Sequence, residues 1–395
     1  MKLKSIIAAA LAGLCFIAAT GCNNDVVDGS GMVNDSSYTE EEQPEAPDEF
    51  NTEITALELT SDIKVGWNLG NTLDATGGSG VSQETSWGNP KTTPELMQAV
   101  KDAGFNAVRI PTTWEKQMDE NSVISEEWFT RVQEVVDYAY DLDMYVILNM
   151  HHEEWYIPYA ENEEEISAKL KTCWTQIAER FKGYDERLIF EGMNEPRWKN
   201  TEFEWNGGND EGREVVNHLN QVFVDAVRAT GGNNQYRFLM VCPYAANSGE
   251  SALSALKLPE DDRLIVSVHA YIPYGFALAE NGTSKWLASK VGCTQDIDTL
   301  AEVLDRLFIS KGQAVIIGEC GAMNRENEEY RAEWAEYYFG KFREIGIPCF
   351  WWDNGAFYSG ETFGLFDRRT NEVKYPVLLE AMMRGASGAS PADAS

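Results

Sequence analysis

Two glutamates stand where two short apolar runs end. Leu188-Ile189-Phe190 reads as a buried strand, and Glu191-Gly192-Met193-Asn194-Glu195-Pro196 follows it. Glu195 therefore falls at a strand's carboxyl end, with an amide donor beside it and a proline closing the run. Val315-Ile316-Ile317-Gly318-Glu319-Cys320-Gly321 puts Glu319 in the same context much later in the chain. Two such residues meet only if their strands share one closed or twisted sheet. A carboxyl pair so placed is equipped to cleave a glycosidic bond: one protonates the leaving oxygen, and the other, ionised, works at the anomeric carbon or on water.

The elements that must position this pair follow from hydrophobic periodicity. Short apolar runs predict strands at Val65–Leu69, Ala107–Ile110, Tyr145–Asn149, Leu188–Glu191, Phe238–Val241, Leu264–His269, Ala314–Gly318 and Cys349–Trp352. Amphipathic patterns between them predict helices near 93–103, 125–142, 163–181, 212–230, 251–256, 294–308 and 328–344, with a last one near 376–383. Thr93-Pro94 is a cap followed by proline at the first helical position, and Ser125-Glu126-Glu127 is a cap with acids in the first turn. Gly104 and Gly231 suit helix ends. Eight strands alternating with helices over about 330 residues predict a (β/α)8 barrel. An open doubly wound sheet is the competing fold, and the first strand lacks the Gly-rich phosphate loop that such a sheet would use.

In a barrel, polar residues at the carboxyl ends of strands are the site candidates. The second strand ends Val108-Arg109-Ile110-Pro111, and the third runs into Asn149-Met150-His151-His152-Glu153. The fourth supplies Asn194 and Glu195, the sixth His269 and Tyr271, the seventh Glu319, and the eighth Trp351-Trp352-Asp353-Asn354. Each alone would suit a structural hydrogen bond; six strands converging on charged or aromatic ends argue for one site. Trp351 and Trp352 point to opposite sides of their strand, as would His151 and His152; Trp352 and His151 are taken as the site-facing members.

The composition leaves room for such a domain and narrows its partners. The chain has 395 residues, 43% hydrophobic, with twelve Trp that suit either a core or sugar stacking. A net charge of −32 repels nucleic acid and anionic membranes and fits a neutral substrate, although solubility alone would explain it as well. Lys2, Lys4 and the apolar stretch Ile6–Ala19 predict a signal segment over 1–21, ending Ala19-Thr20-Gly21-Cys22. That ending resembles a bacterial lipoprotein signal with Cys22 as the lipidated residue, so contact with a membrane is expected only through that anchor. The expected location is the cell surface, outer membrane or periplasm, or the medium if Cys22 is not lipidated. Residues 22–50 are an acidic polar linker, 51–384 the barrel, and 385–395 a small polar tail expected to fray. The five cysteines that remain, Cys173, Cys242, Cys293, Cys320 and Cys349, form no CxxC or zinc-type cluster and read as buried thiols with room for one disulfide.

Together these pieces resemble glycoside hydrolase family 5, a clan of retaining (β/α)8 enzymes that includes cellulases and mannanases. The matching residues span the domain in the family's order: Arg109, His151, Asn194-Glu195-Pro196, His269 with Tyr271, Glu319 and Trp352. Gly66-Trp67-Asn68-Leu69-Gly70-Asn71-Thr72-Leu73-Asp74-Ala75, with Glu84-Thr85-Ser86-Trp87-Gly88-Asn89-Pro90, resembles subfamily 4, the endo-β-1,4-glucanases and xyloglucanases. The resemblance implies Glu195 as general acid/base and Glu319 as nucleophile, with carboxyls about 5–5.5 Å apart. Arg109 and the Tyr271 hydroxyl would then stabilise ionised Glu319. Glu195 must start protonated, in a dry setting or near the negative Glu319. Asn194 would bind the sugar 2-hydroxyl, His151, His152 and His269 would bind hydroxyls or orient carboxylates, and Trp352 would floor the −1 subsite. Asn68 and Trp67 of the opening motif and Trp155 are further substrate contacts, with Trp114 and Trp205 as looser candidates; core packing is the competing role for each of these indoles. The implied activity is retaining endo-β-1,4-glucan hydrolysis on cellulose, mixed-linkage glucan or xyloglucan, by a monomer without cofactor or metal; mannan is the alternative backbone.

Two other readings compete. A metal-dependent barrel hydrolase would want His-x-His ligands on one strand, whereas the four His are 151, 152, 218 and 269. A non-catalytic glycan-binding lipoprotein would keep the aromatic platforms but would not need both Glu195 and Glu319.

Overall fold

The computed structural model describes residues 50–388. The expected signal segment, Cys22, the linker up to residue 49 and the tail from 389 lie outside the described residues.

Eight parallel strands close into a barrel in chain order: β1 Gly66–Leu69, β2 Ala107–Ile110, β3 Tyr145–Asn149, β4 Leu188–Glu191, β5 Leu239–Val241, β6 Leu264–His269, β7 Ala314–Cys320 and β8 Cys349–Asp353. The expected barrel is thus present, and β8 pairs back onto β1 through Asn68↔Trp352. The helices are α1 Ala56–Asp62, α2 Pro94–Asp102, α3 Glu126–Tyr140, α4 Glu163–Arg180, α5 Asp210–Ala229, α6 Glu250–Ala255, α7 Tyr274–Ala277, α8 Val291–Leu307, α9 Glu328–Arg343 and α10 Pro376–Ser387. A two-stranded antiparallel pair, β9 Phe366–Asp367 and β10 Glu372–Val373, precedes α10. The caps read from the sequence are formed: Thr93 Oγ1 accepts the Leu96 N–H at 3.3 Å, and Ser125 Oγ accepts the Trp128 N–H at 3.3 Å.

Alternation along each strand sorts side chains into two cores. Ala107, Ile147, Ile189, Met240, Ile265, Ile316 and Phe350 point inward and fill the barrel floor. Val108, Val146, Leu188, Val266, Ile317 and Trp351 point outward under the helices. Gly66 is required here: a Cβ at this position would lie 2.1 Å from the Phe350 ring that fills the floor.

The sequence reading did not anticipate α1, α7 or the β9–β10 pair. Helix α1 starts in a Thr55–Glu58 capping box and puts Ala56, Leu59 and Ile63 into the floor core, closing the barrel's amino-terminal end. The carboxyl-terminal boundary also moves. Helix α10 runs on to Ser387, past the expected domain end at 384, and Ala386 is buried. Small residues allow this close crossing, since a Cβ on Gly385 would lie 2.4 Å from the Glu336 carbonyl oxygen of α9. The five described cysteines are free thiols, all buried except the partly covered Cys293.

Candidate active site

One step above the apolar floor the inward row turns polar. Asn68 follows Gly66 by two on β1, Arg109 follows Ala107 on β2, Glu191 follows Ile189 on β4, and Ser267 follows Ile265 on β6. All four are fully buried. Arg109, with 0% of its side chain exposed, is the hub. Its Nε donates to Glu191 Oε2 at 2.7 Å, Nη1 to Asn68 Oδ1 at 2.9 Å and to Glu319 Oε1 at 2.8 Å, and Nη2 to Asn194 Oδ1 at 2.7 Å. Ser267 Oγ donates to the other Glu191 oxygen at 2.6 Å. Burial works against the guanidinium's charge, but the Glu191 and Glu319 carboxylates more than offset it and keep Arg109 cationic.

The next row up is the mouth. Glu319 lies inside β7 rather than past its end, because the strand continues to Cys320. Its second oxygen accepts the Tyr271 hydroxyl at 2.9 Å. Burial and the neighbouring Glu319 charge hold the Tyr271 phenol well above its ordinary range, so it remains a donor. Glu195 faces Glu319 across the barrel. His269 Nδ1 sits between them, 2.9 Å from Glu195 Oε1 and 3.7 Å from Glu319 Oε2, and one oxygen of each carboxyl lies within 4.8 Å of the other.

The charge state of Glu195 departs from the sequence expectation of a raised acid. Burial pushes its pKa up, but the hydrogen bond and charge of His269, with Arg197 beside it, outweigh burial and leave it below the ordinary carboxylate range. Burial pulls His269 down, yet the Glu319 charge and the bond to Glu195 raise it above an ordinary imidazole. Both shifts favour a carboxylate facing a cationic imidazole across the 2.9 Å Glu195–His269 contact.

Around this pair, Trp352 faces the mouth with Met323, Phe363 and Tyr271, while Trp351 is buried outside the barrel and donates Nε1–H to the Phe363 carbonyl at 3.0 Å. The choice of Trp352 holds. His151 is buried, its ring parallel to Trp352 with centroids 5.7 Å apart, and its Nδ1 lies 3.0 Å from the Asn149 amide nitrogen. His152 meets it edge-on at 4.4 Å and is half-buried. Burial lowers both imidazoles, His152 to about 4, so both are neutral hydrogen-bonders.

Two expected substrate contacts, Trp67 and Asn68, are corrected. Trp67 is fully buried on the outward side of β1, donates to Asp353 Oδ2 at 2.9 Å and packs edge-on against Phe366; with Asn68 inward, its neighbour must point out. Asn68 is inward but too deep for substrate, and bonds Arg109 and the Gly318 carbonyl. Arg109 likewise reaches Glu319 and Asn194 without reaching the surface. Trp155 is partly buried, and its Nε1 donates to Glu153 Oε2 at 2.7 Å while Lys169 of α4 covers its ring at 4.7 Å. Trp114 is fully buried and bonds the Asn149 carbonyl. Trp205, by contrast, is 54% exposed.

Several site residues escaped the sequence reading. Glu191 was legible as the one charge inside an apolar strand run, whereas Ser267 carries no signal of its own. Arg197 adjoins Glu195 only through its side chain. Trp87, exposed on the loop after β1, lies 5.5 Å from His152. Among the described residues, two groups bring metal-type donor atoms together, Asp74–His151–His152 and Glu195–His269–Glu319. In the first, both Asp74 oxygens already accept N–H bonds from Asn71 and Thr72; in the second, the atoms pair with one another.

Comparison with known proteins agrees with this geometry. The family model for cellulase (glycosyl hydrolase family 5) matches residues 70–358. The chain is 45% identical over 348 residues to Endoglucanase A of Clostridium longisporum, covering 85% of this chain and 67% of that one. A solved GH5-4 broad specificity endoglucanase from the same organism superposes with a TM-score of 0.83 at 44% identity, covering 85% of this chain and 99% of that one. Another, from Ruminococcus champanellensis with bound cellotriose, superposes at 0.81 with 47% identity, covering 84% and 98%. This chain belongs to glycosyl hydrolase family 5, the cellulase family.

Proposed function

We propose that this endo-β-1,4-glucanase works by double displacement, with Glu319 as nucleophile and Glu195 as acid/base. The observation that carries the reading is the pairing of the carboxyls: one oxygen of Glu195 and one of Glu319 lie within 4.8 Å, which supports the short separation of a retaining pair. In the first step protonated Glu195, with His269 Nδ1 2.9 Å away, gives its proton to the glycosidic oxygen; the bond from that oxygen to the anomeric carbon breaks, its electron pair staying on the leaving oxygen, as a Glu319 oxygen bonds to the carbon. Arg109 and Tyr271 fix the attacking carboxylate. In the second step a water takes the aglycone's place, Glu195 removes its proton, and the bond to Glu319 breaks with its electron pair returning to the carboxylate. Asn194 spends its oxygen on Arg109, which leaves its amide nitrogen to donate to the sugar 2-hydroxyl. Trp352 floors the reacting sugar.

Exposed Trp87 and Trp205 lie on loops after β1 and β4, and both suit stacking on successive sugars of an internal chain segment. Similar solved structures described as broad specificity endoglucanases, a lichenase and a xyloglucan-specific endo-beta-1,4-glucanase support a range of β-glucans as substrates. Proton NMR of the first product is expected to show the β-anomer before mutarotation. An initial α-anomer would mean inversion and would remove Glu319 as nucleophile.

We also propose export and lipid attachment at Cys22, supported by Lys2, Lys4 and the apolar run that precedes it. Mass spectrometry of the membrane-extracted protein should find an N-terminal diacylglyceryl cysteine. A mature chain beginning elsewhere, with an unmodified Cys22, would overturn this.

A further inference from the structure

Arg197 contacts the other end of the Glu195 carboxyl. Its Nη1 donates to the Glu195 carbonyl oxygen at 2.9 Å and lies 3.4 Å from Oε2, the oxygen His269 does not hold. Two further contacts fix it, and each of those partners is itself anchored. Nε lies 3.3 Å from Glu204 Oε1, while Glu204 Oε2 accepts the Asn200 N–H at 2.8 Å and fastens the loop. The guanidinium sits 4.0 Å from the Trp205 ring centre, and Asn247 Nδ2 donates to the Trp205 carbonyl at 3.0 Å. Arg197 is 18% exposed, so its charge is only partly screened at Glu195.

We propose that Arg197 is a positioning residue for the acid/base, turning the Glu195 carboxyl toward the leaving oxygen and favouring the carboxylate that activates water in the second step. This inference rests on the reading of Glu195 as acid/base. Glu195 is faced by Arg197 from its own loop, His152 from the β3 loop, Cys242 after β5, His269 and Tyr271 from β6 and its loop, Glu319 from β7, and Glu361 from the β8 loop. His269 and Arg197 are the ion-pair partners that touch it. While Glu319 is ionised, its charge opposes Arg197 at Glu195. Esterification of Glu319 removes that opposition and leaves Arg197 acting on Glu195. Arg197 is therefore a small burden on proton donation and a larger help to proton removal. Glu204 sets how much of its charge reaches Glu195.

The test is a pair of variants expected to move in opposite directions. Arg197→Met should raise the alkaline limb of the kcat/KM profile by about 0.5–1 pH unit, the lower part of the range for a lost opposite charge because the pair is partly solvated. With 2,4-dinitrophenyl β-cellobioside, whose departure needs no acid, it should slow deglycosylation so that a burst of dinitrophenol appears. Arg197→Lys should restore most of the limb position. Glu204→Gln, which leaves Arg197 unopposed, should move the limb down. An unmoved limb in Arg197→Met, with rates reduced equally at every pH, would overturn the proposal, as would Glu204→Gln moving the limb upward. If Arg197→Met does not fold, the direction in Glu204→Gln decides alone. Glu195→Ala separates the two readings. Azide should rescue its turnover of the dinitrophenyl substrate and give the β-glycosyl azide. Absence of rescue removes the acid/base reading itself, whereas rescue with a fixed limb removes only the role of Arg197.

Discussion

Glu319→Ala is expected to lower kcat by at least about 10⁴-fold, the scale of losing a residue that forms the covalent intermediate. The expectation comes from where Glu319 sits. Both of its oxygens are held, one by Arg109 Nη1 at 2.8 Å and one by the Tyr271 hydroxyl at 2.9 Å, so the carboxylate is fixed before substrate arrives. Binding should survive. Trp352, His151 and Asn194 remain on the mouth, and Arg109 keeps Glu191 as counter-ion, so the truncated site does not strand a buried charge. The dissociation constant for a cello-oligosaccharide should therefore stay within a few-fold of the parent, by calorimetry. Azide added to Glu319→Ala with an activated aryl β-cellobioside should enter the vacated space and attack in the nucleophile's place, giving the α-glycosyl azide. Near-normal turnover in this variant would remove Glu319 from the mechanism. Lost turnover with equally lost binding would make it a structural residue instead.

The carboxylate pair was legible in the sequence because it depends on strand order and periodicity, and both survive folding. Placing Glu195 and Glu319 at strand ends needed only short apolar runs and the alternation between them. The failures at Trp67 and Asn68 come from the same rule left unapplied: two adjacent strand residues cannot both face the site, and Gly66, which must admit the Phe350 ring, sets which one faces in. Arg109 was found together with its bond to Glu319; what the sequence did not show is that the depth of the barrel buries it against a second carboxylate, Glu191. Trp87 and Trp205 depend on loops whose course no local pattern fixes. Least legible was the pairing of Glu195 with His269, because it rests on a 2.9 Å contact between β6 and the loop after β4. The sequence put an acid at that position; only the three-dimensional arrangement gives the acid His269 as a hydrogen-bond partner.

Arg109→Met is the substitution expected to cost most in stability, about 3–5 kcal/mol, because it breaks a buried ion pair from one side. Arg109 is fully buried and faces two carboxylates at 2.7 and 2.8 Å. Without it, Glu191 has only the Ser267 hydroxyl in its place, and a buried carboxylate with one neutral donor must either remain charged at high cost or take up a proton. Arg109→Lys should recover little, since an ammonium cannot reach Asn68, Glu191, Asn194 and Glu319 in the planar fork that the guanidinium presents. Activity and stability should then separate in the double variant Arg109→Met with Glu191→Gln. Neutralising Glu191 removes the stranded charge, so the melting temperature should recover part of the loss. Turnover should stay down by about 10²-fold or more, because Glu319 and Asn194 have still lost the donor that aims them. Thermal melts and kcat on the same preparations check both halves. A single Arg109→Met variant within about 1 kcal/mol of the parent would show that the buried charges are compensated elsewhere. Activity returning together with stability in the double variant would confine Arg109 to holding the fold, with no part in aiming the nucleophile.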